Sequence, residues 1–334
     1  MMRHESTSVN PIFSLLAVLN RSGKKEPSRR RNRGSLRGFG WSLGAIVAGA
    51  VCGFLLFQIP QKTTEVQTGP LGDLAGVTSV GVDPVNRVYL GGSFGVKVLT
   101  PDWRILRSWS TPETITALDG DPDGNVYVAY LTKVEKFDRE GKSLLTWGKG
   151  GCDGDPFAYV SGIDVLDGNV FVADAGSRVV FHFTTDGKYL NEIGDKERGP
   201  DGLGLVLPTP FLDCSAVGTT VYINNPGKTR VETYDLDGKI LGFWGKGGGK
   251  INEFPGCCNP TNIAILRNGK TVVSQKGDPC VKVYSSDGEF EATFGRGVFP
   301  EACKGIDLAD DDAGRIYAVD KISGCVRVFE VTNK

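Results

Sequence analysis

Histidine is nearly absent from this chain: the 334 residues include only His4 and His182. Histidine supplies many of the zinc ligands and general bases of proteins, so its scarcity disfavours conventional zinc and acid–base sites. His182, within "FHFTTDG", is interpreted as a packed strand residue. The chain also has no C-x-x-C-H sequence, which excludes covalent haem attachment by that motif.

Acidic residues outnumber basic ones outside the first forty residues. Residues 1–40 contain nine Lys and Arg against two Glu, which leaves 29 basic and 37 acidic residues in the rest of the chain. Binding to nucleic-acid phosphates requires clustered cations, so this acidic remainder argues against nucleic acid as a partner.

A long uncharged apolar run, "WSLGAIVAGAVCGFLLFQI", occupies residues 41–59. As a helix it would rise about 28 Å, close to the thickness of a bilayer's hydrocarbon core. The preceding basic residues predict that the N-terminus stays in the cytoplasm. We therefore predict a basic cytoplasmic tail (1–40), a transmembrane helix (41–59), a linker or closing strand (60–74) and an extracytoplasmic domain (75–334). This domain is periplasmic if the cell is Gram-negative.

Three cleavable or exported leaders are alternatives to an uncleaved anchor. About forty residues precede the apolar run and no small-x-small site follows it, which argues against a secretory signal. Val51 stands where a lipoprotein signal before Cys52 needs a small residue. The twin arginines of "SRRRNRG" lack the apolar residues expected after them.

From residue 75 onward the sequence repeats a pattern of four short strands. Its second strands place six equivalent residues at spacings of 38, 44, 51, 51 and 44: Tyr89, Tyr127, Phe171, Tyr222, Val273 and Tyr317. Four antiparallel strands per forty to fifty residues are typical of a propeller blade. The sequence thus predicts an all-β, six-bladed β-propeller. The sixth unit has three strands, so residues 66–76 are expected to supply its fourth and close the ring.

Residues 161–194, "SGIDVLDGNVFVADAGSRVVFHFTTDGKYLNEIG", resemble an NHL repeat. The resemblance covers residues 75–330 and implies the propeller fold. NHL-type propellers serve as binding modules and sensor domains, and related gluconolactonase-like and peptidyl-amidating propellers are metal-dependent enzymes. The resemblance therefore leaves the activity open.

Seven cysteines fall within the predicted propeller. Topology places the loop between the second and third strands at the same face as the link to the next blade, and six of the seven occupy such segments. Cys214 is expected to point inward from a first strand. Five belong to blades five and six: Cys257, Cys258, Cys280, Cys303 and Cys325.

Two kinds of thiol site follow from this clustering. An oxidising compartment favours disulfides, with Cys280–Cys325 and Cys303 to Cys257 or Cys258 as the leading pairs. The alternative is a metal or redox site formed by Cys257, Cys258 and Cys303.

Carboxylates are a further candidate chemistry. Asp174 and Asp320 end second strands, whereas Asp164 and Asp307 lie in first strands near the expected axis. With neighbouring asparagines they could hold Ca²⁺, as the lactonase-like resemblance implies. An Asp after the second strand is also a common loop cap. The expected binding face is represented by Cys152, Arg178, Asn225, Arg230 and Asn262.

The expected function is recognition of a protein, peptide or glycan partner by a rigid membrane-anchored disc, with no resident cofactor. One alternative is a metal-dependent hydrolase or lyase that uses Ca²⁺ in the central channel. Another is a redox or metal-handling accessory protein that acts through its thiols and holds a thiolate-bound metal.

Overall fold

The structure, a computed structural model, describes residues 65–66, 74–152, 154–195 and 202–330. Its strands form six four-stranded antiparallel sheets, so the predicted six-bladed propeller is confirmed. Blades one and two comprise β2 (Val77–Val82), β3 (Val88–Gly92), β4 (Gly95–Leu99), β5 (Ile105–Trp109), β6 (Ala117–Gly120), β7 (Val126–Ala129), β8 (Val134–Phe137) and β9 (Ser143–Trp147). Blades three and four comprise β10 (Val160–Leu166), β11 (Asn169–Asp174), β12 (Val179–Thr184), β13 (Tyr189–Ile193), β14 (Cys214–Val217), β15 (Thr220–Asn225), β16 (Arg230–Asp235) and β17 (Ile240–Trp244).

Blades five and six complete the ring. They comprise β18 (Ile263–Ile265), β19 (Thr271–Gln275), β20 (Cys280–Tyr284), β21 (Phe290–Phe294), β22 (Leu308–Asp310), β23 (Arg315–Asp320) and β24 (Cys325–Glu330). The first strand of each blade contacts the first strand of the next, and β22 contacts β2. These first strands therefore surround a common axis.

The fourth strand of blade six comes from the other end of the chain. β1 (Glu65–Val66) pairs antiparallel with β24, placing Glu65 opposite Phe329 and Val66 opposite Val328. The sequence assigned this role to residues 66–76, and the pairing begins one residue earlier. Blade six thus combines the first strand along the chain with the last three.

The predicted cytoplasmic tail (1–40) and transmembrane helix (41–59) lie outside the described residues. Within the described ranges, no helix has the length and apolar character needed to cross a membrane.

Adjacent blades interlock through a tryptophan and a glycine. Trp109, Trp147 and Trp244 end the fourth strands of blades one, two and four. A Cβ added to Gly288, in the last turn of blade five, would lie 2.4 Å from Trp244 Cγ. Gly141 lies in the same way against Trp109, whereas a Cβ on Gly187 would meet Leu145 Cδ2 at 2.9 Å and Trp147 Cδ2 only at 3.5 Å. The recurrent Asp-Gly turn therefore provides both a left-handed backbone and space for the preceding blade's indole.

Gly288→Ala should destabilise the propeller by about 2–4 kcal/mol, because it combines a positive φ of 81° with overpacking against Trp244. Gly269→Ala is the matched control, since Gly269 has a φ of 82° but no atom within 4 Å of the added Cβ. Urea unfolding should show a loss of only about 1 kcal/mol for the control. Equal losses would show that the Trp244 contact does not contribute.

Candidate functional site

The first strands are joined across blade boundaries by polar side chains that we call the axial ring: Ser79, Asp119, Asp164, Asp213, Ser215, Asn262 and Asp307. Each first strand is a sheet edge, so its amides need acceptors from outside the blade. Side chains of the preceding blade provide them at 2.9–3.2 Å, in the pairs Asp307–Val80, Ser79–Leu118, Asp119–Val165, Asp164–Ala216 and Asp213–Ile263. At the remaining junction, Asn262 Nδ2 donates to Asp307 Oδ1 at 3.5 Å.

Burial keeps the carboxyl groups of the axial ring from ionising readily. Desolvation raises the pKa of Asp164 to about 7 and raises the pKa of Asp119, Asp213 and Asp307 as well. The channel that they line has a volume of about 80 Å³. Since a water molecule occupies about 30 Å³ of liquid, this channel has room for only a few waters. The ring fits a structural role as a set of interblade hydrogen-bond acceptors.

The other two candidate carboxylates are loop caps. Asp174 accepts hydrogen bonds from the amides of Ala158 and Tyr159 at 2.9 and 2.8 Å, and from Ser177 Oγ at 2.8 Å. Asp320 is fully buried and pairs with Arg327 at 2.8 Å. Among the described residues, no three or more His, Cys, Asp or Glu side chains are grouped as metal ligands.

The cysteines of blades five and six do not gather into one cluster. Cys257, Cys258, Cys280 and Cys303 are free thiols, so the predicted Cys280–Cys325 and Cys303 bridges are not formed in this structure. Cys303 packs in an apolar cluster with Phe299 and Phe329, and burial raises its pKa to about 11. Cys303 is thus a buried thiol in an apolar cluster, whereas Cys257 is exposed to solvent. Cys214 is buried and lines the axial channel, as expected.

The residues predicted to mark the binding face differ in solvent exposure and in hydrogen bonding. Cys152 is exposed, and its Sγ lies beside Gly187 in the last turn of blade three. Asn225 is buried and donates to Glu232 at 3.0 Å; Arg230 donates to the same carboxylate at 2.7 Å. Arg178 is exposed in the turn before β12. Asn225 and Arg230 are therefore structural, and a different part of the face is open.

That part is a cavity of about 610 Å³ beside blade five, which we call the fifth-blade pocket. Its walls are the link from blade four, the turn between β19 and β20, and the link to blade six. Its lining comprises Gly249, Lys250, Ile251, Pro255, Gly256, Cys257, Cys258, Asn259, Gln275, Lys276, Gly277, Asp278, Lys282, Arg296, Glu301 and Lys304.

Two side chains hold the pocket walls in place. Phe254, fully buried, packs on Trp244 and Tyr284 and so anchors the link from blade four in the core. Asn259 follows the cysteine pair, and its Oδ1 accepts the Lys276 amide at 2.8 Å while its Nδ2 donates to the Lys276 carbonyl at 3.1 Å. The side chain of Asn259 therefore replaces a backbone partner and fixes the link against the turn.

The pocket is cationic although the propeller as a whole is acidic. Five cations line it, Lys250, Lys276, Lys282, Arg296 and Lys304, against the two carboxylates Asp278 and Glu301, a net charge of +3. Arg296 forms an ion pair with Asp278. Lys282 is buried, donates to the Glu253 carbonyl at 2.6 Å, and has a pKa lowered by desolvation. The exposed cations favour an anionic ligand.

The adjacent thiols lie on one wall of this pocket, with Cys257 Sγ and Cys258 Sγ 3.3 Å apart. Cys257 is exposed and Cys258 is 7% exposed. Burial opposes ionisation of Cys258, but hydrogen bonds from Cys257 and Thr209 and the charge of Lys276 outweigh it and lower its pKa. The hydrogen bond to Cys258 is the main reason that the Cys257 pKa is raised. The pair therefore consists of a proton-holding thiol and a more readily ionised one.

Gln275 adds an unsatisfied acceptor to the same wall. It is 3% exposed, and its Nε2 donates to the Asp278 carbonyl at 3.0 Å. Its Oε1 is buried and has no hydrogen-bond partner in the described structure. Native proteins leave few such atoms, so a water or a bound molecule is expected to donate to this oxygen. Nothing in the local sequence predicted it.

Two other features fit a ligand site less well. Residues 91–95, "GGSFG", have the G-x-S-x-G spacing that sequence reasoning overlooked, but Ser93 joins two strands rather than a strand and a helix. The axial mouth, a cavity of about 190 Å³, is lined by hydroxyls such as Thr78 and Ser161 and by Lys321. It is less than a third as large as the fifth-blade pocket and has one cation.

Comparisons with known proteins identify the fold. No protein-family model matches the sequence, and no curated protein matches it. Similar solved structures include the WD40 propeller domain of Doa1 (TM-score 0.54, 14% identity, covering 77% of this chain and 79% of that one). A gluconolactonase from Xanthomonas campestris has a TM-score of 0.55 and 14% identity over 78% of this chain and 89% of its own. A streptogramin B lyase has a TM-score of 0.53 and 13% identity over 81% of this chain and 97% of its own. At these identities the similarity establishes the propeller and no particular activity.

Proposed function

We propose that this propeller is a recognition module that binds an anionic peptide segment of a partner protein in the fifth-blade pocket. The observation that carries the proposal is the net positive charge of an open 610 Å³ cavity on a propeller body that is otherwise acidic. Carboxylates of the ligand would pair with Lys250 and Lys304, which are exposed, and with the half-buried Lys276. Gln275 Oε1 would accept a peptide N–H.

The N-terminal sequence also supports a location for the propeller, outside the cytoplasm and next to a membrane. The length of the apolar run 41–59 and the nine cations before it support a single membrane anchor with a cytoplasmic N-terminus. The propeller would then present its pocket in the extracytoplasmic space, periplasmic in a Gram-negative cell. The motif of residues 161–194 supports an NHL-type repeat as the origin of the blades.

The enzymatic alternative has less support from the same geometry. A channel of about 80 Å³ is too small for an organic substrate, and Asp164 and Asp307 are engaged as interblade acceptors. A thiol-based function has one specific observation in its favour, the Cys257–Cys258 pair within the cationic pocket.

Binding of fluorescent hexaglutamate, measured by anisotropy, tests the recognition proposal. Replacing both Lys276 and Lys304 by Gln should weaken binding about tenfold, since each screened ion pair contributes up to about 1 kcal/mol. Binding should also weaken as salt is raised. The matched control replaces Lys142 and Lys239, exposed lysines in turns of blades two and four, and should bind as the unmodified protein does. Equal affinity of both double variants, or tighter binding of an acidic glycan than of the peptide, would contradict the proposal.

A further inference from the structure

We propose that Cys257 and Cys258 form a thiol–disulfide exchange site for small peptide-like disulfides that carry carboxylates. The inference rests on the proposed function, because it assigns the cations of the fifth-blade pocket to the carboxylates of the reacting molecule. It goes further by giving the pocket a chemical step and a substrate class.

The geometry brings the required groups together. The two sulfur atoms are 3.3 Å apart, and both residues line the 610 Å³ cavity. Phe254 and Asn259 fix the link on either side of the pair. A substrate sulfur that enters the cavity can therefore reach one thiol while the second thiol remains in direct contact with the first.

The electrostatics assign different roles to the two sulfurs. Cys258 has the lowered pKa and receives hydrogen bonds from Cys257 and Thr209, so it is the attacking thiolate. Cys257 keeps its proton, is exposed, and is the resolving thiol. Lys276 lies close enough to favour the thiolate and to attract a carboxylate of the substrate.

The exchange proceeds in two balanced steps. The Cys258 thiolate attacks one sulfur of the substrate disulfide, forming a mixed disulfide and releasing the first substrate sulfur as a thiolate, which takes the Cys257 proton. The Cys257 thiolate then attacks Cys258 Sγ, releasing the second substrate sulfur as a thiolate and joining Cys257 to Cys258. Two electrons pass from the protein thiols to the substrate disulfide, which is the oxidant of the cysteine pair and is itself reduced to two thiols. Excess small thiol reverses both steps.

The charge of the pocket favours a carboxylate-bearing disulfide over a metal cation. A thiolate-bound metal needs further ligands, and no third cysteine, histidine or carboxylate joins this pair in the described part of the chain. A net charge of +3 repels cations and attracts carboxylates. Gln275 Oε1, buried and unpartnered, accepts an N–H of a peptide-like substrate.

The test treats reduced full-length protein with either oxidised glutathione, which is anionic, or cystamine, which is cationic, at low salt. Intact-mass and peptide mapping follow each thiol with time. Exposed Cys152 is the internal reference, because it lies outside the pocket. We expect the peptide with both cysteines to lose two hydrogen atoms, and its rate relative to Cys152 to be about tenfold higher with oxidised glutathione than with cystamine. Cys257→Ser should accumulate a mixed disulfide on Cys258, whereas Cys258→Ser should react about tenfold more slowly.

Two results would overturn the inference. One is modification of Cys152 while the pair stays reduced; the other is a pair that reacts equally with both disulfides or faster with cystamine. Hexaglutamate binding to the same unmodified protein separates the two proposals. Binding without exchange leaves recognition standing and removes the redox step, whereas failure of both removes the pocket as a functional site.

Discussion

A propeller that lacks residues 1–67 should be less stable than one that lacks residues 1–60 by about 2–3 kcal/mol. The longer truncation removes β1, the strand that pairs with β24 and completes blade six. Without it, the backbone groups of β24 opposite Glu65 and Val66 lose their partners and the ring has an exposed edge. The shorter truncation removes the tail and apolar run but keeps the closing strand.

Urea unfolding and size-exclusion chromatography of the two truncated proteins provide the measurement. We expect a lower unfolding midpoint for residues 68–334, together with concentration-dependent association through the open edge of blade six. Residues 61–334 serve as the control for loss of the N-terminal segment. The same midpoint and a monomeric profile for both proteins would show that β1 does not close the ring.

Asp213→Ala should destabilise the propeller by about 2–4 kcal/mol, whereas Asp213→Asn should cost about half as much at pH 7 because it keeps one of the two acceptor oxygens. Asp213 accepts the amides of Cys214 and Ile263 at 3.0 and 3.1 Å, and alanine leaves both donors without this acceptor. Burial and the nearby Asp307 raise the pKa of Asp213 well above its ordinary value, so loss of its charge costs little, but asparagine replaces one of its two acceptor oxygens by an NH₂ donor.

The pH dependence of unfolding supplies a second measurement on the same variants. A carboxyl whose pKa is raised by folding gives its full stabilisation below its unfolded pKa and loses it as pH rises through the folded value. The Asp213→Asn protein should therefore gain stability relative to the unmodified protein as pH increases. A stability difference between the Asp213→Asn and unmodified proteins that stays constant as pH rises would show that folding does not raise the pKa of Asp213.

The fold was predictable because the same local contacts recur in several blades and keep the same residue types at the same positions. Tyr89, Tyr127 and Tyr317 recur since each hydroxyl donates to a buried aspartate six residues earlier in the chain, at 2.8–3.2 Å. The Asp-Gly turns recur since the preceding blade's indole fills the space beside the glycine. Contacts of this kind depend on residues close together in the sequence, so the sequence reveals them. The same repeat also indicated that the sixth blade lacked a strand.

The axial ring carried a signal that sequence reasoning missed. Asp119, Asp164, Asp213 and Asp307 each follow a leucine or isoleucine at the start of a blade. Only Asp164 and Asp307 were singled out, as candidate ligands for Ca²⁺, because contacts between first strands of different blades connect residues about fifty positions apart. The predicted thiol bridges also depended on contacts between residues far apart in the sequence. Sequence order placed Cys303 and the adjacent pair on one face, but apolar packing buries Cys303 beside Phe299.

The fifth-blade pocket could not be derived from any single motif. Its cations come from two links, one turn and strand β20, and Lys250 and Lys304 are more than fifty residues apart. Long links have no repeat to constrain them, so their path depends on anchors such as Phe254 and Asn259. The sequence identified Cys257 and Cys258 as unusual, and the structure provided the charge and cavity around them.

A crystal structure of residues 61–334 with a short acidic peptide tests the central claim most directly. We expect peptide density in the fifth-blade pocket, with ligand carboxylates within hydrogen-bonding distance of Lys276 and Lys304. Density at the axial mouth beside Lys321, with the fifth-blade pocket holding solvent alone, would contradict it.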